Sequence, residues 1–211
     1  VIAAGAVVLA TGSTYRRTGV PGESDLIGAG VHFCATCDGP FYKDADELVV
    51  LGAGNSGLEE GLFLTKFAKH VTVLEQSDKV AGSKILHNKV SAHPKMDLRL
   101  NSTVASFNPD SNRRLESLTV TGPDGETYDQ PAAAAFVFIG LDPNTGWLNG
   151  LVDLDQRGFI VTDRMMQTSV LGIFAAGDVR AGSTKQLASA VGEGAAVSLQ
   201  IRHHLESEQR K

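Results

Sequence analysis

The apolar positions of this chain fall into two kinds of pattern. Leu48–Leu51 and Ala135–Ile139 are short unbroken runs without polar alternation, as expected of strands buried on both faces. After the first run the spacing changes to three and four. Leu58, Gly61, Leu62, Thr65 and Ala68 then share one face of a helix that the pattern carries to about Lys69. Val71–Leu74 is the next strand, closed by Glu75, so strand, glycine-rich turn, helix and strand make one β-α-β unit. A second helix is predicted over Lys84–Ala92 and stopped by Pro94. Three strands follow, near 97–107, 115–121 and 126–130, with Gly122-Pro123-Asp124-Gly125 as the hairpin turn between the last two.

Gly140 closes the Ala135–Ile139 strand, and Leu141–Gly146 reads as a connector because turn residues fill it. Beyond it the pattern predicts a small hairpin over Leu154–Thr162, a strand over Gly172–Ala176 and an Ala-rich helix from about Gln186 to His204. Its polar tail, Glu206–Lys211, is expected to fray. Val7–Gly12 at the other end reads as a buried strand that needs neighbours to pair with. No initiator Met and no targeting pattern precede it, so the sequence reads as a fragment of a longer protein.

Composition narrows the class. With 42% hydrophobic and 20% charged residues among 211, and no apolar run of membrane length, the chain is neither disordered nor membrane-spanning. A net charge of −5 gives no attraction for nucleic acid or an anionic membrane. Many glycines (23) and few aromatics (6%) suit a nucleotide-binding α/β protein better than a β-sandwich. The two cysteines, Cys34 and Cys37, cannot build a disulfide framework and indicate a reactive pair in a cytoplasmic protein.

The glycine turn is the first candidate site. In Gly52-Ala53-Gly54-Asn55-Ser56-Gly57, Gly52 permits the tight turn and Gly54 the approach of backbone to a pyrophosphate. Gly57 permits close packing of helix on sheet, and the helix N–H groups, including those of Asn55 and Ser56, face the phosphates. Glu75 lies where a carboxylate accepts hydrogen bonds from the adenosine ribose. A 2′-phosphate beside it would cost roughly 1–4 kcal/mol per unit charge at about 4 Å. That is about a tenfold to thousandfold preference for NADH over NADPH, which Lys79 and Lys84 could soften.

Cys34-Ala35-Thr36-Cys37 closes a small redox-active disulfide, and Asp38 can deliver or accept the proton that exchange needs. Half of a zinc site and a pair of inert thiols are the competing readings. The first lacks a second cysteine pair, and His87 and His93 lie too far along for finger spacing. His32 either tunes a thiolate or makes a structural hydrogen bond. His203 and His204 read as a solvated helix end, and Trp147 as a packed connector residue. Because nicotinamides transfer hydride and disulfides do not accept it readily, a flavin is the expected relay. Thr168–Asp178 ends a strand in small residues and an acid, and Asp178 could accept from a polyol such as a ribityl chain.

Ala10-Thr11-Gly12, Cys34–Gly39, Gly52–Gly57, Asp142-Pro143-Asn144-Thr145 and Phe174–Val179 occur in the order and spacing of the low-molecular-weight thioredoxin reductases. The chain resembles that family from end to end. The resemblance implies a three-layer Rossmann-like NAD(P)H domain with an antiparallel excursion over 17–141, carrying the dithiol. It also implies that 1–16 and 142–211 are the remainder of an FAD-binding Rossmann-like domain whose N-terminal glycine loop is absent. The chain alone is therefore expected to purify colourless and without turnover. By the same resemblance Cys37 faces the flavin, Cys34 attacks the partner disulfide and Asp38 donates the proton. Gly177, Asp178, Lys185 and Gln186 fall on FAD-contacting positions, and Thr11, Gly12 and Gly140 are further cofactor-binding candidates. A homodimer, a rotation between domains and a thioredoxin-like acceptor are implied as well. NADPH-using members carry basic residues where this chain has Glu75, Gln76, Ser77 and Ala81, a departure that resembles the related NADH-dependent flavoprotein reducing a peroxiredoxin. A bare NAD(H)-binding module is the non-enzymatic alternative.

Overall fold

The computed structural model describes residues 3–148 and 150–208. In chain order its elements begin β1 (Val7–Leu9), β2 (Ser13–Tyr15), β3 (Val31–His32), α1 (Ala35–Asp38), β4 (Ala45–Leu51), α2 (Asn55–Leu64) and β5 (Ala68–Leu74). They continue α3 (Lys84–Ser91), β6 (Met96–Arg99), β7 (Thr103–Pro109), β8 (Leu115–Thr121), β9 (Thr127–Pro131) and β10 (Ala134–Val137). β11 (Leu141–Pro143), β12 (Ile173–Ala175) and α4 (Leu187–Glu208) complete the series. The α/β chain divides into two compact units, residues 16–140 and residues 3–15 with 141–208. Each crossing lies one residue before the boundary read from the sequence.

Residues 16–140 form three layers around a parallel sheet of order β3-β10-β4-β5-β6. Successive apolar residues of β4 serve opposite faces. Leu48 and Val50 pack with Val71, Val73 and Phe136 against Leu58 and Leu64 of α2 and Val90 of α3. Val49 and Leu51 pack with Leu74 and Val137 against Phe107, Leu118 and Val120 of the antiparallel sheet β7-β8-β9. Both faces are covered, which is why the run carries no polar residue.

Several expected boundaries move. The helix after the glycine turn ends at Leu64 rather than Lys69. Thr65 Oγ1 donates to Leu62 O (2.7 Å), and the N–H groups of Lys66 and Phe67 reach back only three residues, a tightened last turn. Ala68 then opens β5 opposite Ala45, and Leu64 takes a buried helix position while Leu62 is only half-buried. The strand expected over 97–107 is two strands in different sheets, separated by Asn101 at φ 51°. Leu141–Pro143 is not a connector: it pairs antiparallel with Ser13–Tyr15.

In the second unit β1 pairs parallel with β12, and Leu9, Leu148, Val152, Ile160, Ala175 and Val179 form its main core. The first strand is less buried than its composition suggests. Only Leu9 is buried, and Val7 and Val8 are 43% and 40% exposed on a two-stranded sheet. The hairpin expected over 154–162 shrinks to one bridge, Leu154 with Ile160. Trp147 does not pack; it is 64% exposed. Glu206–Glu208 is helical rather than frayed, because Arg202 donates to Glu206 one turn on (2.8 Å) and Ser207 Oγ to the His204 carbonyl. Residues 209–211 lie outside the described residues. His203 is exposed, whereas the His204 ring packs edge-on to Phe174. No helix among the described residues is long and apolar enough to cross a membrane.

Candidate functional site

At the end of β4 the chain turns through Gly52 at φ 101°, a conformation that side chains rarely adopt. A Cβ at Gly52 would meet Phe138 O at 2.7 Å, and one at Gly57 would meet Gly52 O at 1.9 Å. The turn and the first turn of α2 therefore touch backbone to backbone. Gly54 is different. Its backbone (φ −75°, ψ 178°) suits any residue, and nothing lies within 4 Å of its Cβ position. The lack of a side chain there leaves space over the N-terminus of α2, which no side chain caps and where Asn55 and Ser56 are exposed. A free helix N-terminus with room for backbone approach fits a pyrophosphate.

Glu75, at the end of β5, is brought to this loop. Its Oε2 accepts from Ala53 N (2.7 Å), and its Oε1 accepts from the backbone N and Oγ of Ser77 (both 3.0 Å). Asn55 Oδ1 accepts from Ser83 N (2.7 Å) and Ala53 O from Gly82 N (2.9 Å), so the segment before α3 flanks the loop. That flank was not read from the sequence, although Gly82 and the N-capping Ser83 before an apolar-periodic stretch signal it. Gly140, at φ 114°, lies two residues past Phe138 and accepts from Arg16 N (3.0 Å) where the chain leaves the unit.

Cys34 and Cys37 are joined as a disulfide, Cα atoms 5.3 Å apart. Cys34 caps α1, its Sγ accepting from Cys37 N (3.1 Å), the kind of contact that stabilises a thiolate once the bond is reduced. Cys37 is exposed and Cys34 half-buried. Asp38 ends α1, and its Oδ2 lies 3.4 Å from His32 Nδ1. His32 Nε2 is 2.6 Å from the Tyr42 hydroxyl.

The second unit holds a cavity of about 410 Å³ lined by Gly12, Ala176, Gly177 and Asp178 with the small side of α4, Ala190, Gly194 and Ser198. Asp178 Oδ1 is buried there and has no hydrogen-bond partner. A buried acceptor without a donor is costly, so the site suits a ligand that brings hydroxyl donors. Gly177, at φ 78°, gives its N–H to Glu193 Oε2 (2.7 Å). Thr11 is bonded to Asn144: Thr11 Oγ1 donates to Asn144 O (2.9 Å), and Asn144 Nδ2 donates back to Thr11 O (2.8 Å). Lys185 is likewise spent within the protein. Its Nζ donates to the carbonyls of Asp178 (2.7 Å) and Arg180 (2.8 Å) and sits 4.0 Å from the Phe159 ring centroid. Burial holds its ammonium below the usual lysine range. Gln186 is exposed just ahead of α4.

Glu193 escaped the sequence reading, hidden in a stretch of small residues. Both its oxygens engage Arg180 (2.8 and 3.1 Å), whose Nη1 donates to Thr162. The hydrogen bonds from Arg180 hold its carboxyl below the ordinary glutamate value of 4.5. A lowered folded-state value means that the stabilisation is complete above the unfolded value and is lost as pH falls through the folded one. Glu193→Gln should therefore cost about 1–3 kcal/mol at pH 7, and melting curves of variant and parent should converge as the pH falls through the lowered Glu193 value.

The chain is similar to known proteins over most of its length. The family model described as pyridine nucleotide-disulphide oxidoreductase matches residues 1–194. The thioredoxin reductase of Listeria monocytogenes is 39% identical over 201 residues, 95% of this chain and 63% of the relative; that of Bacillus subtilis is 37% identical with the same coverage. The crystal structure of thioredoxin reductase from Streptococcus pyogenes superposes with a TM-score of 0.88 at 38% identity, covering 96% of this chain and 66% of that one. Thioredoxin reductase from Giardia duodenalis gives 0.88 at 31% identity, covering 95% and 66%. The chain thus spans just under two thirds of the length of these relatives. With its glycine loop, its Cys34–Cys37 disulfide and a family match running through residue 194, the chain belongs to the pyridine nucleotide-disulphide oxidoreductase family.

Proposed function

We propose that the protein is a flavoprotein disulfide reductase that moves electrons from a nicotinamide dinucleotide through FAD to Cys34 and Cys37, and on to the disulfide of a thioredoxin-like protein. The observation that carries this reading is the Cys34–Cys37 disulfide, held in the same compact unit as the Gly52–Gly57 loop. The loop, the N-terminus of α2 and Glu75 would hold the dinucleotide. Gly12, Gly177 and Asp178 would hold FAD, with the unpartnered Asp178 Oδ1 accepting from its polyol. FAD supplies the conversion of hydride into electrons that a disulfide accepts. Thr11, Lys185 and Gln186 then act by shaping the walls of that site, through Asn144, the 178–180 carbonyls and the start of α4.

Glu75 supports NADH as the preferred donor, because its carboxylate stands where a 2′-phosphate would be repelled. The same residue favours a second acceptor, a peroxiredoxin-type dithiol protein, since the NADH-linked relatives named by the resemblance serve such partners. Reduced surroundings suit a cysteine pair that must cycle, so the cytoplasm is the proposed location, and a homodimer the proposed assembly. The test is a single turnover. The chain, reduced and freed of reductant, should reduce about one equivalent of oxidised thioredoxin, following the two electrons that one cysteine pair holds. No transfer, or transfer that survives loss of both cysteines, contradicts the reading.

A further inference from the structure

Among the described residues, His32 is the one buried titratable group that touches the dithiol segment without a part in the scheme above. It ends β3 opposite Phe136 of β10 and is 8% exposed. Its ring is fixed on three sides: Tyr42 edge-on at 5.4 Å, Phe136 tilted at 5.4 Å, and Asp38 Oδ2 at 3.4 Å from Nδ1. The 2.6 Å contact with the Tyr42 hydroxyl occupies Nε2 and leaves Nδ1 for Asp38. A histidine placed only to fill space beneath a phenylalanine has no need of both contacts. Here one nitrogen is anchored and the other is directed at the carboxyl next to Cys37. The groups facing the ring are Asp38 from α1, Tyr42 from the turn after it and apolar Phe136 from β10. Arg114, ahead of β8, acts on Tyr42.

We propose that His32 is the positioning residue for Asp38, and that the two hold one proton between them for disulfide exchange. The inference rests on the disulfide-reductase reading. In the exchange, a thiolate of the reduced pair bonds to one sulfur of the acceptor, and the acceptor S–S bond breaks. The second thiol then displaces the mixed disulfide, so the Cys34–Cys37 bond reforms as the pair is oxidised by two electrons and the acceptor reduced. The first sulfur to leave draws the shared proton through the Asp38 carboxyl, leaving neutral His32 and ionised Asp38; the second takes the proton of the displacing thiol, and water restores the shared proton afterwards. Burial lowers the His32 pKa, and the Asp38 carboxyl beside it opposes that effect.

Proton supply matters only when the leaving thiol is a poor one. Glutathione disulfide releases an aliphatic thiol with pKa near 8.5 or above, whereas 5,5′-dithiobis(2-nitrobenzoate) releases an acidic aromatic thiol that needs no proton. The experiment reacts the reduced 211-residue chain and its His32→Gln variant with each reagent at pH 6. The rate with the aromatic disulfide relative to the aliphatic one should rise about tenfold in the variant, a modest share of the usual effect of general acid catalysis. Equal changes with both reagents, as a merely structural role would give, overturn the proposal, and so does no change. Should His32→Gln fail to fold, Asp38→Asn tests the same contact from the other side. The His32 ring proton resonance should then titrate at lower pH than in the parent, and an unmoved titration overturns the proposal. Failure of the reductase reading itself shows in the parent, as exchange with glutathione disulfide no faster than that of a simple dithiol reagent.

Discussion

Serine in place of Cys34 is expected to end catalytic disulfide reduction while leaving Cys37 able to form, and unable to release, a mixed disulfide with its acceptor. Exposure alone favours this order, although the Cys37 amide would stabilise a thiolate on Cys34. Cys37 is open to solvent, and Cys34 is half-buried with its sulfur against the Cys37 amide. The resemblance to thioredoxin reductases gives the attack on the partner to Cys34, but on access alone Cys37 is the sulfur that a protein disulfide reaches first. Cys34→Ser should then accumulate a covalent adduct with oxidised thioredoxin, seen in the intact mass, and show no turnover. Cys37→Ser should accumulate little. An adduct confined to Cys37→Ser would restore the order of the resemblance, and unimpaired turnover in both variants would remove the dithiol from the mechanism.

The second large effect separates packing from ligand approach within one loop. Gly57→Ala places a methyl group 1.9 Å from Gly52 O, which neither backbone can accommodate without a shift. It should destabilise residues 16–140 by about 3 kcal/mol, the upper end of ordinary overpacking, and nucleotide binding should fall with the fold. Gly54→Ala meets nothing within 4 Å and requires no unusual dihedral angles. It should melt within about 0.5 kcal/mol of the parent and yet bind NADH at least tenfold more weakly, because its methyl group occupies the space left for the pyrophosphate. Thermal melting paired with nicotinamide fluorescence distinguishes the two. Unchanged NADH affinity in Gly54→Ala would mean that the open space above α2 serves no phosphate.

What could be read from the sequence was set by short-range constraints. Gly52, Gly57 and Glu75 are fixed by a turn, a helix contact and a strand end within one β-α-β unit, and the structure brings all three together. Leu48–Leu51 was legible as doubly buried because both neighbouring layers demand apolar residues. What could not be read depended on distant partners. Leu141–Pro143 carries turn residues but becomes a strand because Ser13–Tyr15 lies beside it. Glu193 stands out only when Arg180 and the Gly177 amide are seen around it. His32, Asp38 and Tyr42 follow no helical or strand period; the short turn over Gly39–Tyr42 is what folds them together. Spacing alone therefore could not choose between the two readings of His32.

The most direct test of the account is a paired titration of the 211-residue chain with NADH and with NADPH, followed by nicotinamide fluorescence or calorimetry. It requires no flavin, because the proposed dinucleotide contacts all lie within residues 16–140. Both should bind saturably, with NADH tighter by about tenfold or more from the charge of Glu75, and with a smaller gap in Glu75→Gln. Binding of neither nucleotide would contradict the assignment of the Gly52–Gly57 loop, and with it the proposed route of electrons to Cys34 and Cys37.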